Sequence, residues 1–434
     1  MTPLTPSNTV QQPDWLRLDT AAIVYPPSRR RNWLAQFRFS ATLSEEVDPA
    51  VLNAAAIRTA IRYPAYNVKI RKGFFWHYLK KNKNPPPVLP DGCCPCEPLR
   101  PEQNGGFSFR VRYYKTRISV EFFHALTDGT GALSFLKTLT AEYISLKYGV
   151  SIPRGGDLLD CDDAPSPEEY ENSFKKYAGK TTMSRREKTA FRVRGRYEAD
   201  GFVNLICGVM PTDVLLLQAR ERGVTMTQFL AGVMLLALSD VQRTSSSLRA
   251  RRRVIKVSIP INLRSLFPSI TTRNFSSYVN LGIDPRHGEY SLDEAIAAIH
   301  YQMGAEATKK KLQAKFTTNV RSEMNRFTRF VPLFIKSPFL KAAFHLAGDR
   351  KNSATITNMG SVTLPPEMEQ YIERFEVING PLSVNPVVSA LISYRGKVYF
   401  NITRTITEPH LERAFFTRLV KLGIPVKIET NKRY

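Results

Sequence analysis

The stretch Ile118-Ser-Val-Glu-Phe-Phe-His124-Ala-Leu-Thr-Asp128-Gly129-Thr-Gly131 decides how the chain is read. Its first half alternates apolar and polar side chains as a strand does, and it ends in a histidine. Four residues later an Asp-Gly pair marks a tight turn. A helix then begins at about Thr130, with Leu133, Leu136, Leu139, Tyr143 and Leu146 at helical spacing up to Tyr148. A strand end that opens into a loop is a usual seat for a catalytic group on a rigid element. An imidazole ordinarily titrates close to neutral pH, so His124 is the candidate general base. Asp128 lies too near His124 in sequence to be a triad partner and is expected to hold the loop. Gly129 is expected to take a conformation barred to residues with a Cβ.

Working outward, Arg117 to His124 pairs as a hairpin with Phe107 to Tyr114 across Lys115-Thr116. Upstream, Leu34 to Leu43 alternates as a strand. Asp48 to Tyr63 carries a helical apolar stripe, and Tyr66 to Ile70 and Phe74 to Tyr78 read as strands. Residues 150 to 200 begin acidic and end strongly basic, which marks a linker between a first half (1–150) and a second half (201–434). The second half opens with a strand, Phe202 to Met210. Helices at Thr212 to Arg222 and Thr225 to Gln242 follow, with Thr225 as N-cap. Strands are expected at Arg253 to Ile259 and Ser277 to Asp284, then one long helix from Leu292 to about Met324. Further strands at Ala354 to Met359, Phe375 to Ile378, Val387 to Tyr394 and Lys397 to Arg404 lead to a helix at Glu408 to Lys421 and a last strand at Val426 to Glu429. Hairpins mixed with helices favour two α/β sandwiches over a doubly wound parallel sheet.

The chain of 434 residues, 43% hydrophobic and 23% charged, suits two globular domains. No apolar stretch reaches the ~20 residues of a membrane span. The N-terminus lacks the pattern of a signal peptide, so a reducing cytoplasm is expected. Of five cysteines, Cys93, Cys94 and Cys96 crowd one Pro-rich loop; they lack the second ligand pair of a closed zinc site, and no metal is expected. The net charge of +24 gathers at Arg29–Arg31, Lys80–Lys83, Lys175–Arg196, Arg249–Arg253 and Lys309–Lys315. Such a surface fits a phosphorylated co-substrate, an acidic carrier protein or an anionic membrane touched peripherally. No zinc finger, RNA-binding signature or recognition helix is present, so nucleic acid is not expected. His77, His287, His300, His345 and His410 lie in no comparable motif.

The H-x-x-x-D-G pattern, preceded by a hairpin and followed by an amphipathic helix, resembles that of the CoA-dependent acyltransferase superfamily. That group includes chloramphenicol acetyltransferase, the plant BAHD enzymes, peptide-synthetase condensation domains, wax-ester synthases and alcohol acetyltransferases. The second half agrees at Gly223-Val-Thr-Met-Thr-Gln-Phe-Leu, at Ile259-Pro-Ile-Asn262-Leu-Arg264 (P-x-N-x-R) and at Thr357-Asn358-Met-Gly360 ((S/T)-N-x-G). Phe123 stands where condensation domains and wax-ester synthases usually carry a second histidine, and the D-F-G-W-G element of BAHD enzymes is absent. Trp15-Leu-Arg-Leu-Asp19, Tyr25-Pro-Pro and Phe74-Phe-Trp-His-Tyr look most like the bacterial alcohol acetyltransferase-like group.

The resemblance implies two chloramphenicol-acetyltransferase-like α/β sandwich domains, each with a mixed, largely antiparallel sheet, and a tunnel between them. It implies acyl transfer, acetyl first, from CoA as co-substrate to an alcohol or amine. Asp128 would pair with Arg264 across the halves. Asn358 and Ser361 are candidates for the oxyanion or acceptor side. Arg251, Arg252, Arg253 and Lys256 are candidates for the CoA phosphates. The alternatives are a phosphopantetheinyl carrier-protein donor, or a non-catalytic basic binding protein of the same fold.

Overall fold

The computed structural model of the protein describes residues 14–28, 35–100, 102–184, 186–199, 202–344, 350–380 and 385–432. The Arg29–Arg31 cluster and His345 lie outside them. The first half runs β1 (Trp15–Arg17), α1 (Tyr25–Ser28), β2 (Gln36–Leu43), α2 (Pro49–Arg62), β3 (Val68–Lys72), β4 (His77–Lys81), β5 (Val88–Pro90), β6 (Phe109–Tyr114), β7 (Arg117–Phe123) and α3 (Gly129–Tyr148). After α4 (Ser173–Lys176) come β8 (Asn204–Pro211), α5 (Thr212–Arg220), α6 (Met226–Arg243), α7 (Leu248–Arg251), β9 (Ile255–Asn262) and β10 (Ser276–Ile283). Then follow α8 (Leu292–Glu306), α9 (Lys309–Met324), α10 (Arg326–Phe330) and α11 (Leu333–Phe344). The chain closes with β11 (Ala354–Ser361), α12 (Pro366–Glu369), β12 (Ile372–Asn379), β13 (Val387–Tyr394), β14 (Lys397–Arg404), α13 (His410–Lys421) and β15 (Lys427–Thr430).

Two large sheets organise these elements. The first has the order β12-β2-β7-β6-β5 and the second β10-β9-β11-β13-β14-β8-β15. Both are mixed and largely antiparallel: only β5·β6 in the first and β9·β11 and β11·β13 in the second run parallel. A small sheet, β1-β4-β3, stands apart. Among the described residues there are two apolar cores. One lies under α2 and α3, where Phe109, Phe122 and Phe135 stack and abut with centroids 5.3–5.4 Å apart. The other lies around α6, which is capped by Thr225 and Gln228 as a capping box.

The halves are less separable than the sequence suggests. β12, from the second half, is the edge strand of the first sheet, antiparallel to β2. Its carbonyls also accept from the second sheet: Val377 from Asn401 Nδ2 at 3.1 Å and Asn379 from Thr403 Oγ1 at 2.7 Å. Residues 151–200, read as a linker, bury Phe174, Phe191 and Val193 in the second core. The expected helix from Leu292 to Met324 is two helices. Thr308 Oγ1 accepts from the Lys311 N–H and caps α9, which stops α8 at Glu306. The strands expected at Tyr66–Ile70 and Phe74–Tyr78 lie further along, because Tyr66 is wholly buried in the first core and the chain turns at Gly73.

The other face of the first sheet carries buried charge. Arg38 Nε meets Glu121 Oε1 at 2.7 Å, and its two terminal nitrogens grip Asp91 at 2.7 and 2.8 Å. Arg110 Nε meets Glu121 Oε2 at 2.5 Å. The cysteine-rich loop is the lid on this layer: the Cys96 N–H donates to Glu121 Oε1 at 2.7 Å, and Cys96 is buried while Cys93 is exposed. Burial alone would push the Glu121 carboxyl up, but the Arg38 and Arg110 cations outweigh it and hold the group below its ordinary value. A carboxylate depressed on folding stabilises the fold above the ordinary carboxylate range and loses that contribution as pH falls through its folded value. Glu121→Ala leaves Arg110 buried without its carboxylate and Arg38 with Asp91 alone, and is expected to cost roughly 3–5 kcal/mol. Urea unfolding of both proteins at about pH 7 and about pH 4 checks this, with the gap narrowing on the acid side.

Candidate active site

His124 lies one residue past β7. Its N–H donates to the Ala35 carbonyl at 2.8 Å, extending the β2–β7 ladder by one rung. The ring stacks on Tyr25 (centroids 4.9 Å, 14° between planes) and meets Phe37 edge-on at 5.0 Å. The imidazole plane is thereby fixed from two sides by aromatic packing.

The protonated nitrogen is fixed by hydrogen bonding. Asn274 Nδ2 donates to Asp19 Oδ2 at 3.1 Å and to the His124 carbonyl at 3.0 Å. Both partners are acceptors, so the Asn274 amide has one sensible orientation, with Oδ1 toward His124 Nδ1 at 3.1 Å. An amide oxygen only accepts, so in the neutral ring Nδ1 carries the hydrogen and Nε2 carries the lone pair. Among the described residues nothing bonds Nε2. Asp19, which anchors Asn274, is fully buried. Burial pushes its carboxyl up, opposed by Arg273 and by the Asn274 hydrogen bond.

Asp128 faces away from His124 and performs three tasks with one carboxylate. Oδ1 caps α3 by accepting from the Gly131 N–H at 3.2 Å. Oδ2 accepts from Arg264 at 2.9 Å and from the Phe275 N–H at 2.7 Å. Arg264 in turn donates to the carbonyls of Thr271 (2.8 Å) and Arg273 (2.6 Å). The Thr127 hydroxyl donates to the Thr272 carbonyl at 2.6 Å. Residues 271–275 of the second half are therefore a strap, laced to the 124–131 loop of the first half at nearly every step.

The Asp-Gly pair is a helix start rather than a separate turn, and the expectation for Gly129 is corrected. Its backbone is not in the left-handed region, and a Cβ would stand 2.7 Å from Met359 Sδ, the end of a flexible side chain that can move aside. Gly131 is tighter still. A Cβ there would stand 2.0 Å from the Thr272 carbonyl oxygen, so the strap can lie against α3 only because residue 131 has no side chain.

The remaining expected residues lie elsewhere. Asn358 donates to Thr227 Oγ1 at 2.8 Å and accepts from the Gly360 N–H, and it has no hydrogen bond to His124 among the described residues. Ser361 lines a cavity of about 630 Å³ beside the first turn of α3. Residues of both halves line it, among them Thr130, Lys137, Arg154 and Asn262. Arg251, Arg252, Arg253 and Lys256 lie at the start of β9, whereas Asn262 and Arg264 lie at its far end. Six residues of strand put about 20 Å between them. Lys256 is paired with Glu187 at 2.9 Å. Burial, then the cations of Arg194, Arg350 and Arg253, push the Arg192 guanidinium below its ordinary value, so this end of the sheet concentrates positive charge. Asn274 and Asp19 escaped the sequence reading as site residues. Asp19 ends the Trp15-Leu-Arg-Leu-Asp19 run, but no local spacing connects it to His124.

Comparisons place the fold. No family model and no curated protein matches the sequence. Solved structures do match. Polyketide synthase associated protein 5 from Mycobacterium tuberculosis is 14% identical, with a TM-score of 0.61 over 96% of this chain and 99% of that one. A trichothecene 15-O-acetyltransferase from Fusarium sporotrichioides is 12% identical, with a TM-score of 0.60 over 94% of each chain. The starter condensation domain of rhizomide synthetase, solved in complex with C8-CoA and Leu-SNAC, is 12% identical, with a TM-score of 0.57 over 94% of each. The chain thus has the two-part α/β architecture shared by chloramphenicol acetyltransferase-like enzymes and condensation domains, as the H-x-x-x-D-G pattern implied.

Two measurements follow. In ¹⁵N spectra, neutral His124 is expected to carry its proton on Nδ1, and Asn274→Ala should abolish that preference; an unchanged spectrum removes Asn274 from the tautomer argument. For the ion pair, Asp128→Asn and Arg264→Gln are each expected to lower stability by roughly 3–5 kcal/mol. The double variant should lose clearly less than the sum, and thermal melts of the four proteins read the coupling.

Proposed function

We propose that this protein is an acyltransferase that moves an acyl group, acetyl in the first instance, from CoA to the hydroxyl of an alcohol or to an amine. One observation carries the reading: a strand-end imidazole whose Nδ1 is saturated by Asn274 and whose Nε2 makes no hydrogen bond among the described residues. Nε2 takes the proton of the acceptor hydroxyl as its oxygen attacks the thioester carbonyl. The tetrahedral intermediate collapses with cleavage of the carbon–sulfur bond, and the imidazolium returns the proton to the departing thiolate. No acyl-enzyme is needed in this sequence.

The architecture supports the reading without fixing the donor or acceptor. The fold is shared with an acetyltransferase and with condensation domains. The cavity beside α3 draws on both halves, as an interdomain channel requires. The positive charge at the start of β9, with Arg251, Arg252, Arg253 and Lys256, remains the proposed contact for the CoA phosphates. Asn358 and Ser361 remain candidates on the oxyanion or acceptor side. A phosphopantetheinyl carrier protein is the alternative donor, and the +24 net charge would suit its acidic surface.

Release of free thiol from acetyl-CoA, from longer acyl-CoAs and from an acyl carrier protein, each with a panel of alcohols and amines, tests the activity and separates the donors. His124→Ala is expected to keep the fold, with some loss of melting temperature from the Tyr25, Phe37 and Asn274 contacts, and to lower the rate about 10²–10⁴-fold. A variant with near wild-type turnover would overturn the role of His124. No release from any pairing would overturn the enzyme reading.

A further inference from the structure

Helix α11 is turned inside out. At about 100° per residue, Phe334, Pro338, Ala342, Ile335 and Phe339 fall within an arc of about 140°. That arc faces solvent: Phe334 is 65% exposed, Ile335 45% and Phe339 72%. The opposite side holds Leu333 and, buried with it, Lys336. A globular protein ordinarily arranges a surface helix the other way, with the apolar stripe inward. Phe330 on α10 and Phe74 in the β3–β4 turn, each 67% exposed, extend the apolar surface. The turn is tied to the helix, since the Leu333 N–H donates to the Phe74 carbonyl at 2.8 Å and Lys336 Nζ to the Phe75 carbonyl at 3.1 Å. Lys336 Nζ also sits 3.2 Å from the Trp76 ring centroid. The exposed rings are therefore held in place by specific contacts.

The charge around this surface is mainly positive, with Asp14 beside the end of β4 as an exception. Strands β3 and β4 run out of the same turn into the small sheet, whose outer face carries the cross-strand rows Trp15-Lys80-Lys69 and Arg17-Tyr78-Arg71. None of these four cations has an ion-pair partner among the described residues. Lys341 flanks Phe334 on α11, Arg329 precedes Phe330, and the sequence has no acidic residue from Met324 to Gly348.

We propose that α11, the Phe74–Trp76 turn and the outer face of the small sheet form a docking surface for a bilayer that contains anionic lipid. Exposed aromatic rings enter the headgroup boundary, and the surrounding Lys and Arg side chains meet lipid phosphates and carboxylates. Contact is peripheral, as no helix among the described residues is long and apolar enough to cross a membrane. A second copy of the chain is the poorer occupant, because it would bring an equally cationic rim against this one. The surface adjoins the candidate active site: α11 packs against α1, whose Tyr25 stacks on His124. If the acyl-transfer reading holds, an apolar substrate dissolved in the bilayer would lie beside the catalytic residue. The docking surface itself does not depend on that reading.

The test is co-sedimentation of the full chain with vesicles of phosphatidylcholine alone and of phosphatidylcholine with about a third phosphatidylserine. The wild type is expected to bind the anionic vesicles, and to bind less as salt is raised. Phe74→Gln/Phe334→Gln/Phe339→Gln should keep the melting temperature and lower partitioning about tenfold or more. Arg71→Glu/Lys341→Glu, which leaves the rings in place, should lower it on anionic vesicles. A wild type that stays in the supernatant, or a triple variant that binds as well, would overturn the proposal. So would a wild-type dimer that the Phe substitutions turn into a monomer in sedimentation equilibrium.

Discussion

The carboxylate of Asp128 is where this structure is fastened. It starts α3 through the Gly131 N–H, accepts Arg264 from the P-x-N-x-R element, and takes the Phe275 N–H of the strap. The Gly131 and Phe275 N–H groups find their acceptor here, and Arg264 its carboxylate. The three donors come from both halves of the chain, so the same side chain that shapes the loop after His124 holds the halves in register. A neutral or shorter side chain could cap the helix, but only a carboxylate can also neutralise Arg264.

His124 itself is held by a different set of contacts. Its main chain belongs to the β2–β7 ladder, its ring plane to Tyr25 and Phe37, and its proton to Asn274. Asn274 sits in the strap, one residue before Phe275. The strap therefore fixes both the loop that carries the imidazole and the tautomer the imidazole adopts. Gly131 belongs to this arrangement because the Thr272 carbonyl occupies the volume a Cβ would need.

Composition left two segments without a role, and distant contacts supply one. The cysteine-rich loop, for which no metal is expected, covers the charged layer of Arg38, Arg110 and Glu121 and supplies the Cys96 N–H to it. The strongly mixed composition of residues 151–200 marks a linker or crossover, and three of its apolar residues, Phe174, Phe191 and Val193, lie in the second core. In both cases composition described the segment while its partners, distant in sequence, assigned its role. The single helix expected over Leu292–Met324 failed locally instead: Thr308 can cap a new helix, and apolar periodicity does not register such a stop.

The sequence by itself determined the strands of the first hairpin, the helix after it, the strand-end position of His124 and the H-x-x-x-D-G and P-x-N-x-R elements. These are local: alternation, helical spacing and motif order depend on residues within a few positions of one another. The pairing of Asp128 with Arg264 was legible only through resemblance to a family. The partnership of Asp19, Asn274 and His124, the return of β12 to the first sheet and the outward apolar face of α11 were decided by the tertiary structure alone. The first joins residues 255 and 150 positions apart, and the second joins strands more than 300 residues apart in the chain. For α11 the apolar stripe is visible in the sequence, but periodicity gives only the width of a stripe. Which way it faces depends on what packs against the other side, and here that is the β3–β4 turn bonded to Leu333 and Lys336.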